Sequence, residues 1–137
     1  MHVSPMLIRA LMLFMPLILT VDVWLWRRPQ KREALAALLA FLWNLPVLLA
    51  LHLAAQHLHW WTFHADGGTL YGLPVDLYIG WALLWGPLPA LACRRIPLPV
   101  VAGFLLAVDV FTMPLAEPLL VLAPSWWIGE GCGLLAG

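Results

Sequence analysis

Long apolar runs separated by short polar stretches dominate the pattern along the chain. The runs cover residues 10–26, 34–57, 73–93 and 98–123. Each is close to the roughly 20 residues that a helix needs to cross the hydrocarbon core of a bilayer. A last apolar stretch from residue 128 predicts the start of a fifth helix. The pattern therefore predicts an all-α, polytopic transmembrane helix bundle with four spans and a partial fifth, forming a single membrane domain over residues 1–137.

Composition agrees with lipid as the solvent of the chain. Hydrophobic residues make up 64% and charged residues 10% of the sequence, whereas a soluble domain has about 45–50% and about 25%. The formal net charge is zero, so nucleic acid is not expected as a partner. The two cysteines, Cys93 and Cys132, have no metal-ligand spacing. We therefore predict membrane lipids as partners, and no metal or cofactor in this chain.

The placement of the basic residues predicts an orientation. Six of the seven Lys and Arg residues fall in the loops at 27–33 and 94–97, which two spans separate. The positive-inside rule places both loops in the cytoplasm. The loop at 58–72 and the C-terminal tail then face outward from the plasma (inner) membrane. Arg9 is the exception to this pattern.

Three acids in or near the spans are candidate catalytic residues. Asp109 lies near the middle of the fourth span, where an ionisable group costs about 2.5–3.5 kcal/mol and marks a functional site by default. Asp76 and Glu117 both fall in the outer half, where a carboxyl pair sharing one proton would serve as a general acid. The structural alternatives are that Asp109 pins its helix to Asn44, that Asp76 caps a helix, and that Glu117 is interfacial.

Aromatic residues of the third span are candidate substrate-binding groups. Trp81 and Trp85 are four residues apart and share a helix face, and Trp85 lies too deep for an interface anchor. Together with Asn44 they predict a pocket for a polyene or isoprenoid chain, and the alternative is ordinary packing between helices. The histidines near the outer interface show no metal-binding motif, and we interpret them as interfacial residues; they are His52, His57, His59 and His64.

Two segments carry a resemblance to a known family. They read GLPVDLYIGWALLWGPLPALACRRIPLP from residue 72 and DVFTMPLAEPLLVLAPSWWIGE from residue 109. Both resemble the N-terminal membrane region of bacterial proteins similar to isoprenylcysteine carboxyl methyltransferases. The resemblance implies the membrane region of an isoprenoid- or lipid-directed enzyme, the N-terminal part of a longer protein. S-adenosylmethionine would be bound downstream, since the Arg-His-Pro-x-Tyr-like motif of the family does not occur here.

Two further functions stay open at the level of sequence. The segment from Gly72 to Asp76 also resembles small membrane carotenoid enzymes of the lycopene cyclase type, which implies Asp76 as the proton donor to a polyene. A non-enzymatic anchor, assembly or transport subunit is the alternative from a different class. That alternative implies a partner subunit or an oligomer of this helix bundle.

Overall fold

The computed structural model describes residues 4–93 and 95–136, and most of them are helical. The elements, in chain order, are α1 Pro5–Arg27, α2 Lys31–His57, β1 Trp61–Phe63, β2 Thr69–Leu70, β3 Leu73–Pro74, α3 Val75–Trp85, α4 Pro87–Ala92, α5 Leu98–Thr112, a 3₁₀ helix Met113–Ala116, β4 Leu120–Leu122 and α6 Trp126–Ala136. The predicted helical character is confirmed, and short strands, which were not predicted, are present as well.

Within the described residues, three helical stretches are long and apolar enough to cross a membrane. They are Pro5–Arg27, Lys31–His57 and Val75–Ala92, the last formed by α3 and α4 together. The predicted span over 98–123 is not confirmed, because α5 has 15 residues and is therefore only about 22 Å long. Pro114 and Pro118 follow directly, and a proline cannot donate the backbone hydrogen bond that would continue the helix.

Two arginines make polar and aromatic contacts at one end of the bundle. At one end, the Nε of Arg27 donates to the carbonyl oxygen of Leu91 over 3.2 Å, and the guanidinium of Arg95 lies 5.5 Å from the ring centroid of Trp26. We call this the Arg27 end and the opposite one the Arg9 end. The two predicted basic loops thus meet at one end, although Arg94 itself lies outside the described residues.

Local sequence signals explain where the first two helices begin and end. The Ser4 hydroxyl accepts a hydrogen bond from the backbone N–H of Leu7 over 3.2 Å, which caps the start of α1. Arg28 ends α1 in the left-handed region, with a φ of 47°. At the start of α2, the Glu33 carboxylate accepts from the backbone N–H of Gln30 over 2.6 Å. An acid in this first turn also suits the helix dipole.

Two glycines allow the helices to approach closely. A Cβ at Gly80 of α3 would overlap the carbonyl oxygen of Met12 in α1. A Cβ at Gly86, where α3 ends and α4 begins, would lie 2.9 Å from both the Ala40 oxygen and the Phe41 nitrogen of α2. In a membrane, small residues at such crossings permit the backbone proximity on which packing depends. α3 is therefore the central element, in close contact with α1 and α2.

A small sheet closes the Arg9 end. β1 pairs antiparallel with β4, in the register Trp61 to Leu122 and Phe63 to Leu120. The side chain of Trp61, the first residue of β1, is buried. A Cβ at Gly129 of α6 would press against its ring. Residues 120–122, which were expected to belong to the fourth span, instead pair with β1. The predicted helix after residue 128 is present as α6, which packs against α2.

Candidate functional site

A cavity of about 310 Å³ lies between α1, α3 and α5. Its lining residues are Ile8, Leu11, Met12, Met15, Pro16, Leu19, Trp81, Leu84, Val108, Asp109 and Thr112. We call this cavity the slot. Apart from Asp109 and Thr112, its lining is apolar, with Trp81 adding an aromatic wall. A largely apolar pocket with a few polar groups is the usual form of a small-molecule site.

The slot runs along α1. Eleven residue steps separate Ile8 from Leu19, the outermost α1 residues in its lining, and these steps cover about 16 Å. Leu11 and Met15, on the rim, are 49% and 51% exposed. These side chains lie on the outer surface of a helix that is long and apolar enough to cross a membrane, so the slot is open on this side of α1.

The first predicted catalytic residue, Asp109, lies in this slot. Its side chain comes from α5 and the residue is only 3% exposed. The indole Nε1 of Trp85 in α3 donates to Oδ2 of Asp109 over 3.1 Å. The structure therefore brings together two of the predicted site residues. Asp109 thus supplies the acceptor that the indole N–H of Trp85 requires.

Asn44 is linked to the same tryptophan from the other side. It is 3% exposed, and its Nδ2 donates to the carbonyl oxygen of Ala40 over 2.9 Å and lies 3.4 Å from the carbonyl oxygen of Trp85. Asn44 lies where α2 meets α3, and it does not line the slot. The expected link between α2 and α5 thus passes through Trp85, by its backbone on one side and its indole on the other.

Asp76 lies elsewhere, at the Arg9 end. Its Oδ2 is 2.5 Å from the Nε of Arg9, and its Oδ1 accepts from the backbone N–H of Leu77 over 3.0 Å. Arg9 also donates to the carbonyl oxygen of Gly67 over 3.1 Å. The partner shown for Asp76 is thus an arginine. Glu117, the other member of the predicted carboxyl pair, is exposed on the protein surface.

The Arg9–Asp76 pair borders a separate cleft of about 1060 Å³ at that end. Its lining includes His64 and Asp66 of the loop after β1. The cleft and the slot have no lining residue in common. Asp76 and Asp109 therefore belong to two different sites.

Trp81 takes part in both the slot and the aromatic packing above it. Its ring lies 6.2 Å from that of Phe63, centroid to centroid, at an interplanar angle of 63°. The edge-to-face arrangement holds Trp81 against the sheet at the Arg9 end. Trp81 is thereby fixed as one wall of the slot.

The four histidines that the structure describes lie apart from any metal-binding group. His52 is buried, with Nε2 3.1 Å from the carbonyl oxygen of Tyr71, while His57, His59 and His64 are exposed. Across residues 4–93 and 95–136, no three His, Cys, Asp or Glu side chains are grouped in a way that could hold a metal ion.

Sequence reasoning missed Arg9 and the α1 wall of the slot. Arg9 was the one basic residue that contradicted the charge pattern, and an isolated charge in an apolar run is a signal for a nearby opposite charge. The α1 wall carries no comparable signal, because Leu11 and Met15 are ordinary residues of a membrane helix. Only the three-dimensional path of α5 reveals that they face a gap.

Comparisons with known protein families, with curated proteins and with solved structures find no match to this chain.

Proposed function

We propose that this chain is an integral membrane protein that binds the apolar chain of a lipid or isoprenoid in the slot. The observation that carries the proposal is the slot itself, a largely apolar cavity with half-exposed α1 side chains in its lining and one buried carboxyl in its wall. Its volume of about 310 Å³ falls at the lower end of the roughly 300–1,000 Å³ of ligand pockets. The ligand therefore inserts one segment and leaves the remainder in lipid.

The position of Asp109 supports a role in binding. An ionisable group in a membrane interior is costly, and such a residue is a candidate functional residue by default. Asp109 combines this position with a place in the wall of a cavity. Asp76, in contrast, is paired with Arg9 outside the slot, which favours a structural role for it over proton donation to a polyene.

The same proposal includes a membrane orientation. The Arg27 end, with its exposed Arg28, Lys31, Arg32 and Arg95, would face the cytoplasm of a cell whose inner membrane holds the protein. α5 and the 3₁₀ helix after it would form a fourth, irregular crossing. Backbone that departs from a regular helix at this depth is tolerated where it is covered by protein, and Met113 and Ala116 of this 3₁₀ helix are buried.

The resemblance to isoprenylcysteine methyltransferases fits this proposal in one respect. Enzymes of that kind act on a prenyl chain, and a slot for such a chain belongs in their membrane region. Under this proposal, methyl transfer from S-adenosylmethionine would need residues beyond those of this chain.

A second candidate is a non-enzymatic assembly module. The observation in its favour is that Trp85 joins α2, α3 and α5 through polar contacts on both of its sides. Such a network pins helices together even if the slot holds nothing but the tail of a bulk lipid. The two candidates differ in whether the slot selects its occupant.

Labelling in nanodiscs tests the proposal. A photoreactive hexadecyl probe, with a diazirine at the middle of the chain, should label residues of α1 and α5 that line the slot. Met15→Trp should fill the slot and reduce this labelling, whereas Ile18→Trp should not, because Ile18 has a similar exposure of 56% on the same helix but lies outside the lining. Equal labelling of both variants would contradict binding in the slot and favour the assembly module.

A further inference from the structure

The cleft at the Arg9 end has both charged and apolar walls. Its lining contains one base, Arg9, two acids, Asp66 and Asp76, and the histidine His64, and its other lining residues are apolar. Its volume of about 1060 Å³ is near the upper end of the roughly 300–1,000 Å³ of ligand pockets. The cleft therefore has room for a ligand that carries charged groups as well as an apolar part.

The charged part of this cleft lies near the start of α1, and an apolar part lies further along the same helix. Arg9 is four residues after Pro5, the first residue of α1, which corresponds to a rise of about 6 Å. Leu13 and Phe14 also line the cleft, and they lie about 6–8 Å beyond Arg9. Because α1 is long and apolar enough to cross a membrane, this order matches a lipid with its polar head group near the membrane surface and its acyl chains below.

The guanidinium of Arg9 retains donors for an anionic group. Its Nε is paired with Asp76 and its Nη1 donates to the carbonyl oxygen of Gly67, whereas its Nη2 makes no hydrogen bond with the residues that the structure describes. The Arg9 side chain is 23% exposed. A Cβ at Gly68 would lie 2.9 Å from Nη2, so a larger residue here would crowd this nitrogen. The two N–H groups of Nη2 can therefore donate to a phosphate oxygen.

The second acid of the lining, Asp66, is left without a cation in the described part of the chain. Asp76 already compensates the charge of Arg9 at 2.5 Å. Asp66 is exposed, and none of the described residues forms an ion pair or a hydrogen bond with its side chain. A phosphate alone would enter a lining that has more acids than bases, whereas an ammonium on the same ligand would supply the missing positive charge.

We propose that this cleft binds the head group of a phospholipid that carries an ammonium, with its phosphate on Arg9 and its ammonium on Asp66. His64 adds a further hydrogen-bonding group for the phosphate. The inference goes beyond the proposed function, because the cleft shares no lining residue with the slot. Soluble phosphoethanolamine has the same two charged groups, but it lacks the acyl chains that Leu13 and Phe14 would contact.

Native mass spectrometry of the full chain in detergent tests the ammonium. Phosphatidylethanolamine should bind about two- to fivefold more tightly than phosphatidylglycerol with the same acyl chains. Of the two lipids, only phosphatidylethanolamine brings an ammonium to Asp66, and an exposed ion pair has an effect of about this size. Asp66→Asn should remove the preference. Asp22→Asn is the control and should keep it, since Asp22 is also exposed but lies outside the lining.

A second variant tests the phosphate. Arg9→Lys keeps a positive charge beside Asp76 but removes Nη2, and a lysine does not replace the planar donor group of arginine. It should therefore weaken the binding of both lipids about two- to fivefold and leave their ratio unchanged. Wild-type binding of both lipids to this variant would show that the phosphate does not lie on Arg9.

The remaining outcomes decide between the sources of the ligand. If the wild-type protein binds both lipids equally or binds neither, the inference is wrong. If Asp22→Asn loses the preference as Asp66→Asn does, the lipids respond to the net charge of the protein rather than to this cleft. If soluble phosphoethanolamine displaces the lipid at the same concentration as lysophosphatidylethanolamine, the assignment to a lipid is wrong. None of these outcomes involves the slot, so the proposed function is tested separately.

Discussion

Helix α1 has two neighbours that it meets in opposite ways. Against α3 it packs so closely that a Cβ at Gly80 would overlap the carbonyl oxygen of Met12. Against α5 it leaves the slot, about 310 Å³ in volume, with Leu11 and Met15 on the rim. α1 thus packs tightly against α3, whereas a cavity separates it from α5.

The α1–α3 and α1–α5 interfaces differ in the contacts that hold the helices together. Lipid gives helices no hydrophobic reason to associate, so close packing and polar contacts must hold them together. α1 and α3 have both, since the Arg9–Asp76 pair reinforces the crossing at Gly80. α5 has chiefly its contact with α4 and the hydrogen bond from Trp85 to Asp109. The first interface holds the bundle together, and the second leaves the slot open.

The largest expected effect comes from opening the close interface. Gly80→Val should cost about 3 kcal/mol or more, because the new side chain meets a backbone oxygen that cannot move aside and overpacking of this kind costs about 1–3 kcal/mol even where side chains can adjust. The midpoint of thermal unfolding in detergent measures the loss. Ala90→Val is the control, since Ala90 is exposed at the opposite end of the same membrane segment. Wild-type stability of Gly80→Val would mean that α1 and α3 do not cross here.

The polar contact of the same interface should give the next largest effect. Arg9→Gln leaves Asp76 without its cation, and since the two side chains are 23% and 21% exposed, the cost should be about 1–3 kcal/mol, between exposed and buried pairs. The double variant with Asp76→Asn should recover part of this loss, because no unpaired charge remains. A double-mutant cycle on unfolding free energies measures the coupling. Strictly additive effects would show that the pair does not stabilise the crossing.

Much of this comparison was accessible from sequence, but unevenly. The spans of α1, α2 and α3 with α4 follow from apolar runs, and the shared end of the basic loops follows from charge placement. Both are local properties that survive without knowledge of packing. The break of the third span at Gly86 was not predicted, because it depends on the approach of Ala40 and Phe41 from α2.

The end of α5 shows why the remainder could not be predicted. Pro114 and Pro118 were visible as interruptions, but the pairing of residues 120–122 with residues 61–63 joins segments far apart in the chain. At the site, Asp109 was identified by its depth alone. The structural alternative paired it with Asn44, whereas Trp85 lies between the two. This placement depends on the relative rotation of three helices.

A smaller effect is expected from loosening α5. Trp85→Phe keeps the ring packing and removes the donor to Asp109, so it should cost about 1 kcal/mol, as polar contacts between membrane helices do. Unfolding midpoints and the accessibility of a cysteine placed at Val108 to a thiol reagent measure it. Trp43→Phe is the matched control, because Trp43 is 62% exposed on α2. If Trp85→Phe and Trp43→Phe had similar effects, the hydrogen bond from Trp85 to Asp109 would not contribute to holding α5 in place.

The smallest effect, and the only one of opposite sign among these predictions, is expected for a substitution at Gly103 of α5. Gly103 lies inside α5, and a Cβ added there meets nothing within 4 Å. Gly103→Ala should therefore stabilise the protein by about 0.5–1 kcal/mol, because alanine loses less backbone entropy than glycine in a helix and no neighbour must move. The same substitution at Gly80 should destabilise it, since the neighbour there is backbone. Unfolding midpoints of the two variants, measured side by side, compare the tight and the open interface with a single methyl group. A loss of stability for Gly103→Ala would mean that another helix approaches α5 on this face.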